Sequence, residues 1–379
     1  ERYPSLMSDP RTANAGRQPN EITMIGKSYF QFGDGHAPGT GAELLDHPTK
    51  STGSLRLVEN CFHAPMAEKS LERAAEDTGD PIVEEIRSAT RAGKHRTIGS
   101  TVHDGVGIAI LRTGECPERA AVGMVYGDTT GHRHRDLLDV QLFAFERPFL
   151  TDLGYPQSWA SRPLWEDHWG THNTAWGTGS DVESRPGYLG RGRLIRSLCV
   201  DGVQILDVEA YQWVRDSERN RWYCPGVTLR RLIALGETDG EGVALVDLSR
   251  VRGGTEHWRT CRGLEGELHA PEAGLQSRGG TVADPNGERG DRDNLRHADH
   301  AAFAFMDKVA SATAPASWSG HWQSGVEASV CLDLHQVSVS DATELLTARA
   351  TAMMGTPEES GYCYRTALWR REPRDENDI

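Results

Sequence analysis

The densest run of ligand-type and charged side chains in this sequence is Gly131-His132-Arg133-His134-Arg135-Asp136, set directly before the apolar stretch 138–145. Side chains of an extended segment repeat every second residue, so His132 and His134 point the same way and can present two imidazoles to one site. Eighteen residues after His134 stands Asp152, in Thr151-Asp152-Leu153-Gly154-Tyr155-Pro156, and twenty further stands His172, in Thr171-His172-Asn173-Thr174. Two histidines and a carboxylate carried on neighbouring strand ends are a donor set that suits zinc, which takes nitrogen and oxygen ligands in a tetrahedral shell. Taken singly, the pieces say little: among 15 histidines an H-x-H pair arises by chance, and an acidic residue beside glycine is most often a turn former. The ordered set is far more specific than its parts.

Such residues need elements to position them. Glycine (41) and proline (18) separate many short apolar runs too densely for long helices, so the chain reads as mainly β. Strands are predicted at 107–112, 120–127, 138–146, 148–152, 172–176, 193–200, 203–213, 228–235, 242–252, 256–262, 321–337, 344–351 and 362–370. The connections are short except at 177–190 and 272–299, and the second, around Asp284-Pro285-Asn286-Gly287, reads as a surface loop or flexible insert. That succession implies a large multi-sheet antiparallel β-sandwich over 100–379. Residues 1–99 read as a separate mixed helical and irregular segment, with its helix formers within 67–98. No internal repeat stands out.

Composition narrows the partners. With 379 residues, 37% of them hydrophobic, the chain can bury a substantial core. A net charge of −14 argues against nucleic acid, so an anionic ligand has to be met by a local cluster. Seven cysteines without a C-x-x-C pair argue against a cysteine zinc site and a disulfide-dense scaffold. No apolar run nears the ~20 residues of a membrane helix, so no membrane partner is expected. The chain opens on Glu1 rather than Met, read as a processed or truncated start.

The ordered set Gly131-His132-Arg133-His134-Arg135-Asp136, Thr151-Asp152-Leu153-Gly154 and His172-Asn173-Thr174 resembles the hallmark of the heparinase II/III-like C-terminal domain. Val246-Asp247-Leu248-Ser249-Arg250-Val251-Arg252-Gly253-Gly254-Thr255-Glu256-His257 resembles a later signature of that domain, and the likeness spans about 100–263. What this resemblance implies is an incomplete α/α toroid followed by a multi-sheet antiparallel sandwich, with the cleft between them. The implied activity is that of a polysaccharide lyase, cleaving a uronic-acid-containing polymer of glycosaminoglycan or alginate type by β-elimination. The C5 proton is abstracted, the C4 glycosidic oxygen leaves, and because that proton is only weakly acidic the neighbouring carboxylate must be neutralised.

Matched to this pattern, His132 is the cleft-facing catalytic histidine, and His134, Asp152 and His172 are the ligands of a structural Zn2+. The family's toroid asparagine or histidine and toroid tyrosine match no position here. The first segment resembles the end of a toroid, so an upstream toroid domain or partner chain is expected; a homo-oligomer is compatible, and the implied location is secreted or periplasmic. Tyr155 is a second candidate for proton transfer, although a tyrosine before proline at a turn more often packs. Trp159, Trp165 and Trp169 could stack sugars or simply pin their loop. Arg133, Arg135 and Arg162 suit bidentate binding of carboxylate or sulfate. Arg133 and Arg135 stand where the family often has small or apolar residues, and His257 reads as a satisfied structural histidine.

Two rival readings make different demands. A cupin-like metal enzyme, suggested by Gly127 ahead of His132-Arg133-His134, requires Asp139 instead of Asp152 as the carboxylate ligand. A non-catalytic sugar-binding sandwich is favoured by the missing toroid and by the ten tryptophans.

Overall fold

The computed structural model describes residues 99–371 except 114–119, 128–133, 146, 154–163, 179–191, 217–220, 240–241, 264–265, 294–297, 314, 325–330, 338–343 and 352–362. The helical stretch expected within 67–98 lies outside the described residues, as does nearly all of the first expected domain.

Alternation of inward and outward side chains builds four antiparallel sheets among the described residues. The first holds β1 (Thr101–His103), β2 (Ile108–Thr113), β3 (Ala120–Val125), β4 (Val140–Ala144) and β5 (Arg147–Leu150) in sequence order. Its three central strands are buried on both sides, which is why they read as mostly apolar runs rather than as alternation. Ala109, Leu111, Val122, Met124, Val140 and Leu142 face the main core, while Ile108, Ile110, Ala121, Val125 and Phe143 form a second cluster on the opposite face. The second sheet runs β10-β9-β8-β7 from β7 (Arg193–Val200), β8 (Val203–Asp216), β9 (Arg221–Glu237) and β10 (Val243–Arg252). It lays Leu206, Val208, Ala210, Val227, Leu229, Ile233 and Leu235 into the main core, against β2.

The third sheet has the order β13-β14-β17-β18-β11-β6, from β6 (Ala175–Thr178), β11 (Glu256–Arg262), β13 (Gln276–Ser277), β14 (Asp307–Ala312), β17 (Glu344–Thr351) and β18 (Cys363–Arg371). A fourth joins β12 (Gly266–His269), β15 (Ser317–Ser324) and β16 (Cys331–Val337). The result is a mainly β, multi-sheet antiparallel sandwich, the architecture the strand pattern implies.

Several local expectations need correction. Residues 321–337 are not one strand: β15 ends at Ser324 and β16 begins at Cys331, and the two pair as antiparallel neighbours. His172 does not start a strand: a 3-10 turn at Trp169–Thr171 precedes it, and β6 begins only at Ala175. The polar segment 272–299 is no free insert, because β13 pairs with β14, Thr281 and Val282 are buried, and the Val282 amide donates to the Met306 carbonyl at 3.0 Å. Strands β1, β12, β13 and β14 are too short or too polar to show as apolar runs.

Where β2 begins and β3 ends, two backbones cross with no room for a side chain. A Cβ on Gly127 would lie 1.7 Å from the Val106 carbonyl oxygen, and Gly107 has φ +80. Gly127→Ala is therefore expected to cost about 1–3 kcal/mol, read as a lowered denaturant midpoint, because the obstacle is backbone that cannot swing aside.

Candidate metal centre

Three separate segments meet at one buried point. His134 lies in the turn before β4, Asp152 just past β5, and His172 just past the 3-10 turn; all three have 0% side-chain exposure. His134 Nδ1 is 3.9 Å from Asp152 Oδ1, and His172 Nδ1 is 2.8 Å from Asp152 Oδ2. One ligand atom from each residue lies within 4.8 Å of the others. Zinc bonds of about 2.0–2.2 Å place adjacent tetrahedral ligands about 3.4 Å apart, between the two measured contacts. His172 Nε2, the ring nitrogen turned from Asp152, is buried with no hydrogen-bond partner among the described residues, which is costly for an imidazole. The donor set thus fits a zinc ion, with one tetrahedral corner left for a fourth donor.

Charge around the cluster points the same way. Burial alone would lower the pKa of His172, yet contact with the Asp152 carboxylate, helped by Asp139 and Asp136, raises it to about 9. The site demands positive charge, and a proton or a metal can supply it. In the metal-free protein the raised value means that His172 contributes stability fully present below its ordinary 6.5 and lost as pH rises through about 9. The loss amounts to about 3 kcal/mol. The urea midpoint of metal-stripped protein is expected to fall over that window, and His172→Gln to flatten the fall. Zinc needs the neutral ring, so its apparent affinity should climb over the same window, by up to about tenfold per pH unit.

The motif residues beside the ligands explain the convergence. The Asn173 amide donates to Asp139 Oδ1 at 2.6 Å, its side-chain amide donates to the Thr151 carbonyl at 3.3 Å, and its Oδ1 accepts from the Arg262 amide at 2.6 Å. The Thr174 hydroxyl donates to the Leu137 carbonyl at 2.7 Å. His172-Asn173-Thr174 is thus one candidate ligand followed by two ties, reaching the segments of the other two candidates. Leu138 sits at φ 60, a left-handed conformation that β-carbon sterics oppose, and is held by its amide bond to the Val125 carbonyl at 2.8 Å.

Asp139 is one of the tied groups. Burial raises its pKa to about 6 against the opposing pull of His172, and its oxygens serve Asn173 and Gln141. It is not in the convergent set, so the carboxylate that the cupin reading requires is engaged elsewhere.

A search of family models finds none that matches the chain, and no curated protein matches it. Among solved structures the chain is similar to a heparan sulfate lyase from Pedobacter heparinus, with TM-score 0.48 and 10% identity, covering 97% of this chain and 53% of that one. It is also similar to a heparinase III, with TM-score 0.46 and 10% identity, covering 93% of this chain and 45% of that one. This chain spans about half the length of those proteins.

Of the other predicted site residues, His132, Arg133, Tyr155, Trp159 and Arg162 lie outside the described residues. Arg135 does not face solvent: it is 6% exposed, and its Nε and amide both donate to the Asp167 carbonyl, at 2.9 and 3.1 Å. That correction follows from the turn geometry, which folds the arginine inward to anchor 164–168. Trp165 and Trp169 are buried as well, and Trp169 stacks on Trp176 with centroids 6.3 Å apart, so they pin the loop from within and offer no sugar platform. His257 Nε2 lies 2.8 Å from the Gly253 carbonyl, as a structural histidine would.

Sequence reading missed Arg231. It occupies the inward row of β9 between Leu229 and Ile233, where its Nη1 donates to the carbonyls of Leu138 and Asn173 at 2.6 and 2.5 Å. Asp247, from the second signature, aims it through contacts of 2.9 and 2.5 Å and also takes Arg259 Nη2 at 2.7 Å. Burial would raise Asp247, but the two guanidinium groups hold it down at about 2. The available signal was Arg230-Arg231 inside an alternating strand, which forces one arginine inward. Arg231→Leu is expected to cost about 2–3 kcal/mol, with Arg259 still pairing Asp247, and to speed metal loss to a chelator. Lysine, without the fork, should not rescue it.

Proposed function

We propose that this chain is the β-sandwich portion of a polysaccharide lyase that cleaves uronic-acid-containing polymers by β-elimination, with zinc at His134, Asp152 and His172. The observation that carries the reading is the convergence of three motif segments, far apart in sequence, on one fully buried donor set. Zinc there would supply charge and geometry, locking the His134 segment, Asp152 and the His172 turn together. The chemistry belongs to the chain's own residues at the cleft. His132 neutralises the uronate carboxylate or accepts the C5 proton; Tyr155 is the second candidate for proton transfer. Arg133 and Arg162 bind the anionic groups of the polymer, and Trp159 stacks on a sugar ring. A toroid domain upstream or on a partner chain completes the cleft, and a polymeric substrate outside the cell places the protein in the periplasm or beyond.

Direct assay tests this. The protein is incubated with heparan sulfate, chondroitin sulfate, hyaluronan or alginate, and the ultraviolet absorbance of the C4–C5 unsaturated product is followed. A rise with at least one polymer is the expected result. No product from any of them, with zinc bound and the toroid domain or partner chain supplied, would overturn the lyase reading.

A further inference from the structure

Strand pairing in the fourth sheet gathers a second set of ligand-type side chains, well separated in sequence from the first. Trp318, Gly320 and Trp322 turn inward along β15, which obliges Ser319, His321 and Gln323 to turn outward. Register sets His321 opposite Asp333 and Gln323 opposite Cys331 on β16, so that His321, Asp333 and Cys331 share the outer face. All three are exposed, and one ligand atom from each lies within 4.8 Å of the others. His321 Nδ1 is 2.7 Å from Asp333 Oδ1, so the ring is already oriented. His269 pairs with His321 from β12, and the row His269–His321–Asp333 therefore crosses the whole sheet with Cys331 at its corner.

We propose that this face is a second metal site, for zinc or another borderline divalent ion, with His321, Cys331 and Asp333 as ligands. The mixture of thiolate, imidazole and carboxylate is selective for such ions over magnesium or calcium, which prefer oxygen shells. Binding releases the Cys331 thiol proton and displaces the proton shared by His321 and Asp333. The site differs from the buried one in two ways that matter for ligand exchange: it is open to solvent, and it contains sulfur. Cysteine spacing alone argued against such a site, since no second cysteine is near Cys331; its partners come from the strand opposite.

Cobalt(II) separates the two sites. Reduced, metal-stripped full-length protein titrated with cobalt should develop a near-ultraviolet thiolate-to-cobalt charge-transfer band, which the sulfur-free buried set cannot give. Cys331→Ala should abolish the band, while His321→Ala and Asp333→Asn should each weaken cobalt binding at this site at least tenfold. Cys199→Ala, which removes another exposed cysteine, and Asp152→Ala, which disables the buried set, should both retain the band. Absence of the band in the unmodified protein, or its survival in Cys331→Ala, overturns the proposal.

Discussion

Replacing Asp152 with alanine is expected to release zinc from the buried site and to cost about 3–5 kcal/mol, the usual penalty for removing one partner of a buried charged set. The carboxylate touches both histidines and is the main reason His172 holds positive charge despite full burial. Without it the imidazoles have two donors and no anion, too few to hold zinc tightly. Metal content per chain and the thermal midpoint measure the two losses. Asp139→Asn is the informative control. It alters a hydrogen-bonding group close by, yet should leave zinc content unchanged and lower stability by only about 1–3 kcal/mol through the weakened Asn173 tie. Should Asp139→Asn lose the metal while Asp152→Ala retains it, the ligand set is wrong and the cupin-like reading recovers.

On the proposed function, His132→Ala should lower the rate of unsaturated-product formation by about 10²–10⁴, the span expected for one positioned acid–base group. Zinc content should be unaffected, because His132 is assigned to the substrate and His134 to the metal. The glutamine variant refines the role: an amide can still donate to a uronate carboxylate but cannot accept the C5 proton. Partial retention by His132→Gln identifies a neutralising group, while loss equal to that of alanine identifies the base. Loss of zinc from His132→Ala would instead make this histidine the fourth ligand.

The two experiments fail independently. A protein that binds zinc through Asp152 but yields no product even with the toroid domain or partner chain supplied keeps its metal centre and loses the lyase proposal. The reverse outcome leaves catalysis standing on a scaffold whose ligands have been misassigned.

Much of this molecule was legible from local pattern. Fold class followed from turn density and apolar runs: β7, β11 and β17 have the predicted bounds, and β10, half in and half out of the core, carries a period of two. His134, Asp152 and His172 stood out in the sequence as an ordered set, and the fold brings a donor atom of each within 4.8 Å of the others. What the sequence could not determine was which side chains end up inside. Arg135, Trp165 and Trp169 have the chemistry of surface contacts, yet the turn through 164–172 buries all three. Alternation turns one of Arg230 and Arg231 inward, but only the pairing of β9 with β10 sets Asp247 to aim Arg231 at the turns that carry the candidate ligands. Asn173 is one polar residue among many until folding surrounds it with Thr151, Asp139 and Arg262. The grouping of His321, Cys331 and Asp333 is a matter of register, and a slip of one residue would send one strand's share to the opposite face. Local periodicity reports an element's type because it depends on neighbours in the chain. Burial, ion pairing and metal geometry depend on neighbours in space, and those the tertiary structure alone decides.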